Sequence, residues 1–453
     1  LLMAQPKGMR TKTATTQDIK QQKCRQRKEV SVMQLNALGK VGRRAGRALL
    51  ALSVLTTSLC LFSLGYSQAT LTWLGTLGGN FSEAHAVSGD GKVVVGVARN
   101  NAGQLRAFRW TQNTGMVDLG TLGGTEAEAW GVSLDGSIVV GGARNLAGQM
   151  RPFRWENNAM TDLGTLGGAN GIAWGISGDG STIVGRAQLN NGFFHAFRWQ
   201  NNTMTDLGTF GGTESLARGV SYDGSVVAGA AMLSNNEYRP FRWTQDTGLV
   251  QLPLISANDA GARNVSLDGN VLVGISSVLF EGYRAVRWIP GSSGYVLQSL
   301  GSLTRGSNTD GFSDAWGVAL GGDIVVGIST NSPDPRNNRA FRWTPQQGIQ
   351  NLTVVYSGLL GTSVLEHAFA ISPCGRYIVG RGFNAATGRP EAFLLDTGIG
   401  DTNADGCVDD TDLLAVLFDF GATGPNRPAD VNRDNIVDDA DLLIVLCNFG
   451  SGC

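Results

Sequence analysis

The sequence predicts an all-β fold, a seven-bladed β-propeller of four-stranded blades closed by its own N-terminal strand, with a small α-helical domain behind it. Three observations predict this. Sixty-four glycines and only 16% charged residues in a chain of 453 suit many tight turns and few helices. A unit that opens Asp118-Leu119-Gly120-Thr121-Leu122-Gly123-Gly124, passes through Ala129-Trp130-Gly131-Val132-Ser133-Leu134-Asp135-Gly136 and closes on Phe153-Arg154-Trp155 recurs about every 44 to 48 residues over most of the chain. Behind the last unit, two runs rich in Asp and Asn each lead into an apolar stretch of helical length.

Charge divides the chain into three. Residues 1–47 carry 12 Lys/Arg against Asp18 and Glu29, whereas residues 399–453 carry 11 Asp against Arg427 and Arg433. With a formal net charge of -1, the middle is left nearly neutral. A neutral repeat region has no electrostatic footprint for nucleic acid, so none is expected as a partner.

Residues 1–69 read as a leader. The apolar run Ala48 to Gly65 follows Lys40, Arg43, Arg44 and Arg47, and Ser67-Gln68-Ala69 places small residues at a cleavage point. This pattern predicts a secretory signal peptide cut after Ala69, with translation starting at Met33. The basic stretch before Met33 is then an over-extended reading frame or a polar tail. Export to the extracellular space or cell surface follows, with no membrane span after cleavage; an uncleaved anchor is the alternative that the run's length allows.

Residues 70–398 form the repeat region. Seven copies of an alternating stretch end in a turn: Ala84 to Gly91, Ala129 to Gly136, Ala173 to Gly180, Ala217 to Gly224, Ala262 to Gly269, Ala315 to Gly322 and Ala368 to Gly375. Five of these turns are Asp-Gly, which accepts the positive φ of a two-residue hairpin, and each is followed by a β-branched run such as Ser137-Ile138-Val139-Val140-Gly141. A third strand carries Phe-Arg-Trp, and a fourth carries the Asp-Leu-Gly that leads into the next unit. Four antiparallel strands in a unit of this length make a propeller blade. Small residues at Ala86, Gly131, Gly175, Gly219, Gly317 and Ala370 fit an innermost strand crowded at the axis. The entering segment Leu71-Thr72-Trp73-Leu74-Gly75 matches a fourth strand, and the last unit stops after its third, at Phe393-Leu394-Leu395. The first strand therefore completes the last blade and removes an open edge. An open β-solenoid of the same units is the alternative architecture.

On these residues the units resemble the HAF repeats of bacterial extracellular proteins, with His195-Ala196-Phe197 matching the triplet that names them. Other residues replace the His in the remaining copies. The resemblance implies secretion and a propeller-like repeat, and no activity.

Residues 399–453 read as a calcium-binding domain. The run 401–412 places oxygen side chains from Asp401, Asn403, Asp405, Asp409 and Asp412 at loop positions 1, 3, 5, 9 and 12, with the Cys407 carbonyl at position 7. The run 430–441 repeats this with Asp430, Asn432, Asp434, Asp438 and Asp441, and the Ile436 carbonyl. Calcium takes six to eight hard oxygens, so two Ca2+ ions are expected. Gly406 makes the tight turn in the first loop, and Asn435, which also tolerates left-handed backbone, makes it in the second. Helices are expected from Asp412 to Phe420 and from Asp441 to Phe449.

Two such halves joined by a Pro-bearing linker resemble a type I dockerin with paired EF-hand-type loop-helix halves. The resemblance implies attachment to a cohesin-like protein or a cell-envelope component through loop positions 10 and 11, here Asp410, Thr411, Asp439 and Ala440. A terminal cap without docking is the alternative. Because dockerin ends lie close together, the resemblance also favours a Cys407–Cys453 disulfide, with Cys447–Cys453 as the other option.

Catalytic signatures are absent from the sequence. His85, His195 and His367 occupy different units and different repeat positions, and there is no GxSxG elbow, zinc motif or phosphate loop. The Arg of Phe-Arg-Trp recurs with the blades and is expected to be structural, bonded to a repeated Asp or a loop carbonyl. Trp130, Trp174 and Trp316, one per inner strand, either pack in the core or form a ring on which sugar stacks.

Function is expected where the repeats break symmetry. Insertions at Leu303 to Asp314, Asn331 to Asn338 and Thr353 to Glu366 emerge on the face opposite the Asp-Gly turns. Their polar residues Arg305, Asp310, Asp314, Asp334, Arg336, Tyr356, Glu366 and His367 form the possible ligand face, for a glycan or a protein. The leading expectation is a secreted, non-catalytic binding or scaffold-associated propeller. A secreted carbohydrate-active enzyme, hydrolase or lyase, with Asp314 and Glu366 as its acid/base pair is the competing class, and a structural surface-layer component is the third.

Overall fold

The computed structural model describes residues 69–256, 259–278, 282–304, 311–330, 337–403, 407–424, 427–432 and 434–450. The leader, Arg305, Asp310, Asp334, Arg336, Asp405 and Cys453 lie outside the described residues.

Seven four-stranded antiparallel sheets form a propeller. Six sheets take their strands consecutively. The seventh sets Thr70–Trp73 against Arg389–Asp396, pairing Leu71 with Leu395 and Trp73 with Phe393. Across the junction between the last blade and the first, Ala392 N–H donates to Ser82 Oγ at 2.8 Å, as Ala196 N–H does to Ser215 Oγ at 2.8 Å between the third and fourth.

The repeated residues explain the blade. Phe108, Phe153, Phe197, Phe241, Phe341 and Phe393 on the third strands are fully buried, each worth about 2–3 kcal/mol of transfer free energy. They join valines and alanines of the adjoining blades in clusters such as Val95, Ala107, Ala127, Val139 and Phe153. On three of the third strands the Arg reaches a turn carbonyl of the next blade: Arg109 Nη2 donates to Gly136 O at 3.3 Å, Arg198 Nη2 to Gly224 O at 3.1 Å and Arg287 Nη1 to Gly322 O at 2.7 Å, whereas Arg154 pairs with Glu156.

The Asp-Gly turns are not two-residue hairpins. Gly136 N–H donates to Ser133 O at 2.9 Å and Ser133 N–H to Ile138 O at 2.9 Å, so four residues make the loop. Only the Gly takes positive φ (73° at Gly136). The Asp135 carboxylate instead accepts from Ser133 Oγ at 2.6 Å and from Ser137 N–H at 3.0 Å. A side chain that bonds its own loop makes an Asx turn and favours the longer connection.

Every inner strand carries a β-bulge at one repeat position. The register shifts between Ala84 and Ala86, Ala129 and Gly131, Ala173 and Gly175, Ala217 and Gly219, Ala262 and Asn264, Ala315 and Gly317, and Ala368 and Ala370. A bulge re-aims the residue it frees. Those residues are His85, Trp130, Trp174, Arg218, Arg263, Trp316 and Phe369.

The C-terminal region holds helices Asp410–Asp419 and Asp439–Asn448, each starting two residues before the sequence expectation because Asp409 and Asp438 cap them in full capping boxes. Val408, Val416, Ala429, Val437 and Val445 form its core. In the second loop an isolated bridge pairs Ile436 with Thr423 of the linker. A disulfide joins Cys447 of the second helix to Cys374 in the first turn of the last blade. That bond removes the Cys447–Cys453 option; Cys407 is disulfide-bonded as well.

Candidate functional site

The seven bulged residues meet around the propeller axis. His85 stacks on Trp130 at 3.9 Å between centroids, and Phe369 stands edge-on to His85 at 5.5 Å and to Trp316 at 5.3 Å. Arg218 of the fourth blade lies 4.6 Å over the Trp174 ring and 5.6 Å over Trp316 of the sixth, so it reaches past the fifth blade across the axis. Arg263 lies 4.9 Å over Trp316. The three tryptophans are only part-buried and belong to none of the clusters between blades. They pack on axial neighbours, Trp130 on His85, Trp316 on Phe369 and Trp174 under Arg218.

One side of this ring is electrically closed. Arg381 Nη1 donates to Glu83 at 2.9 Å, Arg381 Nε to Glu366 at 3.2 Å, and Arg381 Nη2 meets His367 Nε2 at 3.1 Å. Glu83 also contacts His85 Nε2 at 3.2 Å. Burial would raise the Glu83 carboxyl, but the His85 hydrogen bond and the His85 and Arg381 charges hold it below the usual range. Burial and then the Arg381 charge lower His367 to about 4 against the opposing pull of Glu83, so it accepts from the guanidinium as a neutral imidazole.

The other side is open. Asp314 is buried and accepts from Arg263 Nη2 at 3.0 Å and Nε at 3.2 Å, and burial still pushes its carboxyl up. Arg218 has no hydrogen bond among the described residues, and its Nε is buried without a partner. Burial and then the neighbouring Arg263 lower Arg218 to about 9. Arg186, 5.4 Å over Trp174 and 4.8 Å over Phe194, likewise lacks a carboxylate. A cavity of about 510 Å³ opens here, walled by Trp130, Trp174, Arg186, Phe194, Arg218 and Trp316. The Trp130 indole N–H is a second buried donor without an acceptor.

The expected ligand face is only partly assembled. Asp314, Glu366 and His367 lie on inner strands, but Asp314 is held by Arg263 and Glu366 by Arg381, with no shared partner. Tyr356 lies elsewhere, in a crevice of about 860 Å³ lined by turn-side residues Ala319, Gly321 and Cys374 and by Asp430 and Ala440 of the C-terminal region. Sequence reasoning missed Arg186, Arg218 and Arg263. The signal for the last two was present, since one position between two small residues changes from aromatic to Arg in the fourth and fifth units.

In the second C-terminal loop, Asp430 accepts from the Asp434 and Asn435 N–H groups at 3.0 and 2.9 Å. Asp441, fully buried, accepts from Asn432 and Asp438 N–H at 2.9 and 3.0 Å. Asn435 takes the left-handed φ of 71°. In the first loop Asp412 accepts from Thr402 and Asn403 N–H at 2.6 and 3.2 Å. Carboxylates at positions 1 and 12 of the second loop thus turn onto the backbone of their own loop, and their donor atoms are of the oxygen type that hard cations take. Among the described residues there is no cluster of three or more His, Cys, Asp or Glu placed to hold a metal. Asp410, Thr411, Asp439 and Ala440 are exposed.

No protein-family model matches the chain, and no curated protein matches it. The HAF-repeat and dockerin resemblances therefore rest on the residue patterns alone. Solved structures similar to it include TolB from Acinetobacter baumannii, at 10% identity and a TM-score of 0.41, over 68% of this chain and 64% of that one. The β-propeller domain of Cps50 (Swd1) from Myceliophteria thermophila is similar at 11% identity and 0.44, over 71% and 99%. Kuenenia stuttgartiensis hydrazine synthase is similar at 13% identity and 0.38, over 72% and 98%. The chain thus spans under two thirds of the TolB chain, and at these identities the likeness concerns the fold alone.

Proposed function

We propose that the protein is an exported, non-catalytic binding propeller of the HAF-repeat type, with its ring closed by the strand Thr70–Trp73. Its ligand enters the axial channel, and a dockerin-like C-terminal domain folded on two Ca2+ ions attaches it to a cohesin-like protein or an envelope component. The observation that carries this reading is the cavity over Trp174 and Arg218: its donors lack acceptors, whereas the candidate acid/base groups Asp314 and Glu366 are already engaged by Arg263 and Arg381. A group held in a tight ion pair is poorly placed to exchange protons with a substrate.

In the C-terminal domain, Asp430, Asn432, Asp434 and Asp441, with the Ile436 carbonyl, would hold one ion, and Asp401, Asn403, Asp409 and Asp412 would serve the other. Calcium there would neutralise inward-facing carboxylates and so add folding energy.

Screening the full mature chain against surface glycans and envelope proteins tests the binding reading, and a blank screen removes it. Circular dichroism of the same protein on adding EDTA tests the calcium reading. Helical signal is expected to fall while the β signal stays, and an unchanged spectrum removes it.

A further inference from the structure

We propose that the axial cavity takes an acidic sugar, with the Arg218 guanidinium as counter-ion to its carboxylate and the Trp174 indole as the surface beneath its ring; this rests on the reading of the channel as the binding site. Three guanidiniums, Arg186, Arg218 and Arg263, converge on the inner wall of the third to fifth blades. One buried carboxylate, Asp314, answers them, and Arg263 takes it at 3.0 Å. Arg218 and Arg186 therefore line the cavity with no ion pair among the described residues, whereas Arg144, also on its wall, is held by Glu126 at 2.8 Å.

The unmet hydrogen bonds have the same sign. Arg218 Nε and Trp130 Nε1 are both buried donors without acceptors, and both residues wall one cavity. Buried donors are ordinarily paired, and leaving them unpaired costs free energy. A site that keeps two such donors is built for an acceptor from outside, and a guanidinium fork suits a carboxylate.

The walls between these donors are flat and aromatic. Trp174 and Phe194 lie on either side of Arg186, which is 5.4 Å and 4.8 Å from their centroids, and Trp316 lies 5.6 Å from Arg218. Indole faces accept the C–H face of a pyranose while their N–H finds a hydroxyl. The volume of about 510 Å³ lies within the range of small-ligand pockets. An inorganic anion would satisfy the guanidinium but leave the aromatic walls uncovered, so the inference requires both groups in one ligand.

The test uses the full mature chain, read by tryptophan fluorescence and calorimetry. Digalacturonate is the probe, with galactobiose as its neutral counterpart, benzoate as an aromatic carboxylate and inorganic phosphate as a bare anion. We expect digalacturonate to bind saturably and shift the fluorescence, with affinity falling as salt rises. Galactobiose, benzoate and phosphate should each be about tenfold weaker or worse, the scale of one charge-assisted contact.

Arg218→Met should weaken digalacturonate about tenfold or more while raising the melting temperature, because a residue that only holds the fold would lower it when removed. Arg186→Gln, at the cavity wall, gives a second variant and should weaken binding several-fold. Equal affinity for galactobiose, tighter binding of benzoate or phosphate, or digalacturonate binding untouched by both variants overturns the acidic-sugar assignment and leaves the binding reading standing. No saturable binding of any of the four probes overturns it as well, and only a blank glycan and envelope screen would take the binding reading with it.

Discussion

The two sides of the axial ring share one blade plan and end in different electrostatic states. Between the seventh and first blades, Arg381 is surrounded by Glu83, Glu366 and His367, and every charge has a partner. Between the third and fifth blades, Arg218 and Arg186 line a cavity with no ion pair among the described residues, and the buried Asp314 is bound to Arg263. The backbone that presents these residues is the same on both sides, so the difference lies in side-chain identity at matching sites. One side stabilises the ring, and the other holds charge ready for something that is not part of the chain.

That contrast can be broken most severely on the closed side. Arg381→Met leaves Glu83 and Glu366 without their cation and should cost about 3 kcal/mol or more, read as a fall in the urea midpoint at pH 7. A loss under ~0.5 kcal/mol would mean that the network carries no stability.

Acid should act on the same side more gently. With a folded pKa of about 4 against 6.5, His367 binds its proton more readily in the unfolded chain. Its contribution is complete above pH 6.5 and is lost as pH falls toward 4, at most about 3 kcal/mol. His367→Gln should flatten the stability profile between pH 6.5 and 4; an unchanged slope would assign the acid sensitivity to other groups.

On the open side the sign reverses. Arg218→Met exchanges a buried cation without a carboxylate for apolar volume and should stabilise the propeller by ~1–2 kcal/mol in the same urea titration. Destabilisation of that size would show that Arg218 belongs to the scaffold. The smallest effect is expected at the solvent-exposed rim of the cavity, where Arg144 and Glu126 pair at 2.8 Å with both side chains 40% exposed. Glu126→Gln should change stability by no more than ~0.5 kcal/mol, and a larger loss would extend the closed network outward.

Much of this architecture was legible residue by residue. Phe153 and its counterparts are buried and the strand Leu71-Thr72-Trp73 pairs beside the last blade, as the repeat pattern required, while the repeated Arg bonds a turn carbonyl at Arg109, Arg198 and Arg287 and other partners at Arg154 and Arg342. The turns were misread because Asp135 bonds within its own loop, a choice that the dipeptide Asp-Gly does not reveal. The disulfide at Cys374 was missed because its partner Cys447 lies 73 residues away in another region. Of the expected ligand face, Tyr356 lies beside turn-side residues, Asp314 pairs with Arg263 and Glu366 with Arg381, and Arg305, Asp310, Asp334 and Arg336 fall outside the described residues.

The sequence by itself determined the number of blades, the strands of each, the helices and the loop positions of the calcium-type oxygens. These follow from periodicity and local chemistry, which repeat whether or not the chain is folded. Only the tertiary structure decided which charges are answered. Arg263 and Asp314 are 51 positions apart and Arg381 and Glu83 are 298 apart, yet each pair meets within 3.0 Å. Around a ring, distance along the chain says little about distance across the axis. Beside Arg218, folding brings Arg186 and Arg263 together, and among the described residues only Arg263 of the three pairs with a carboxylate.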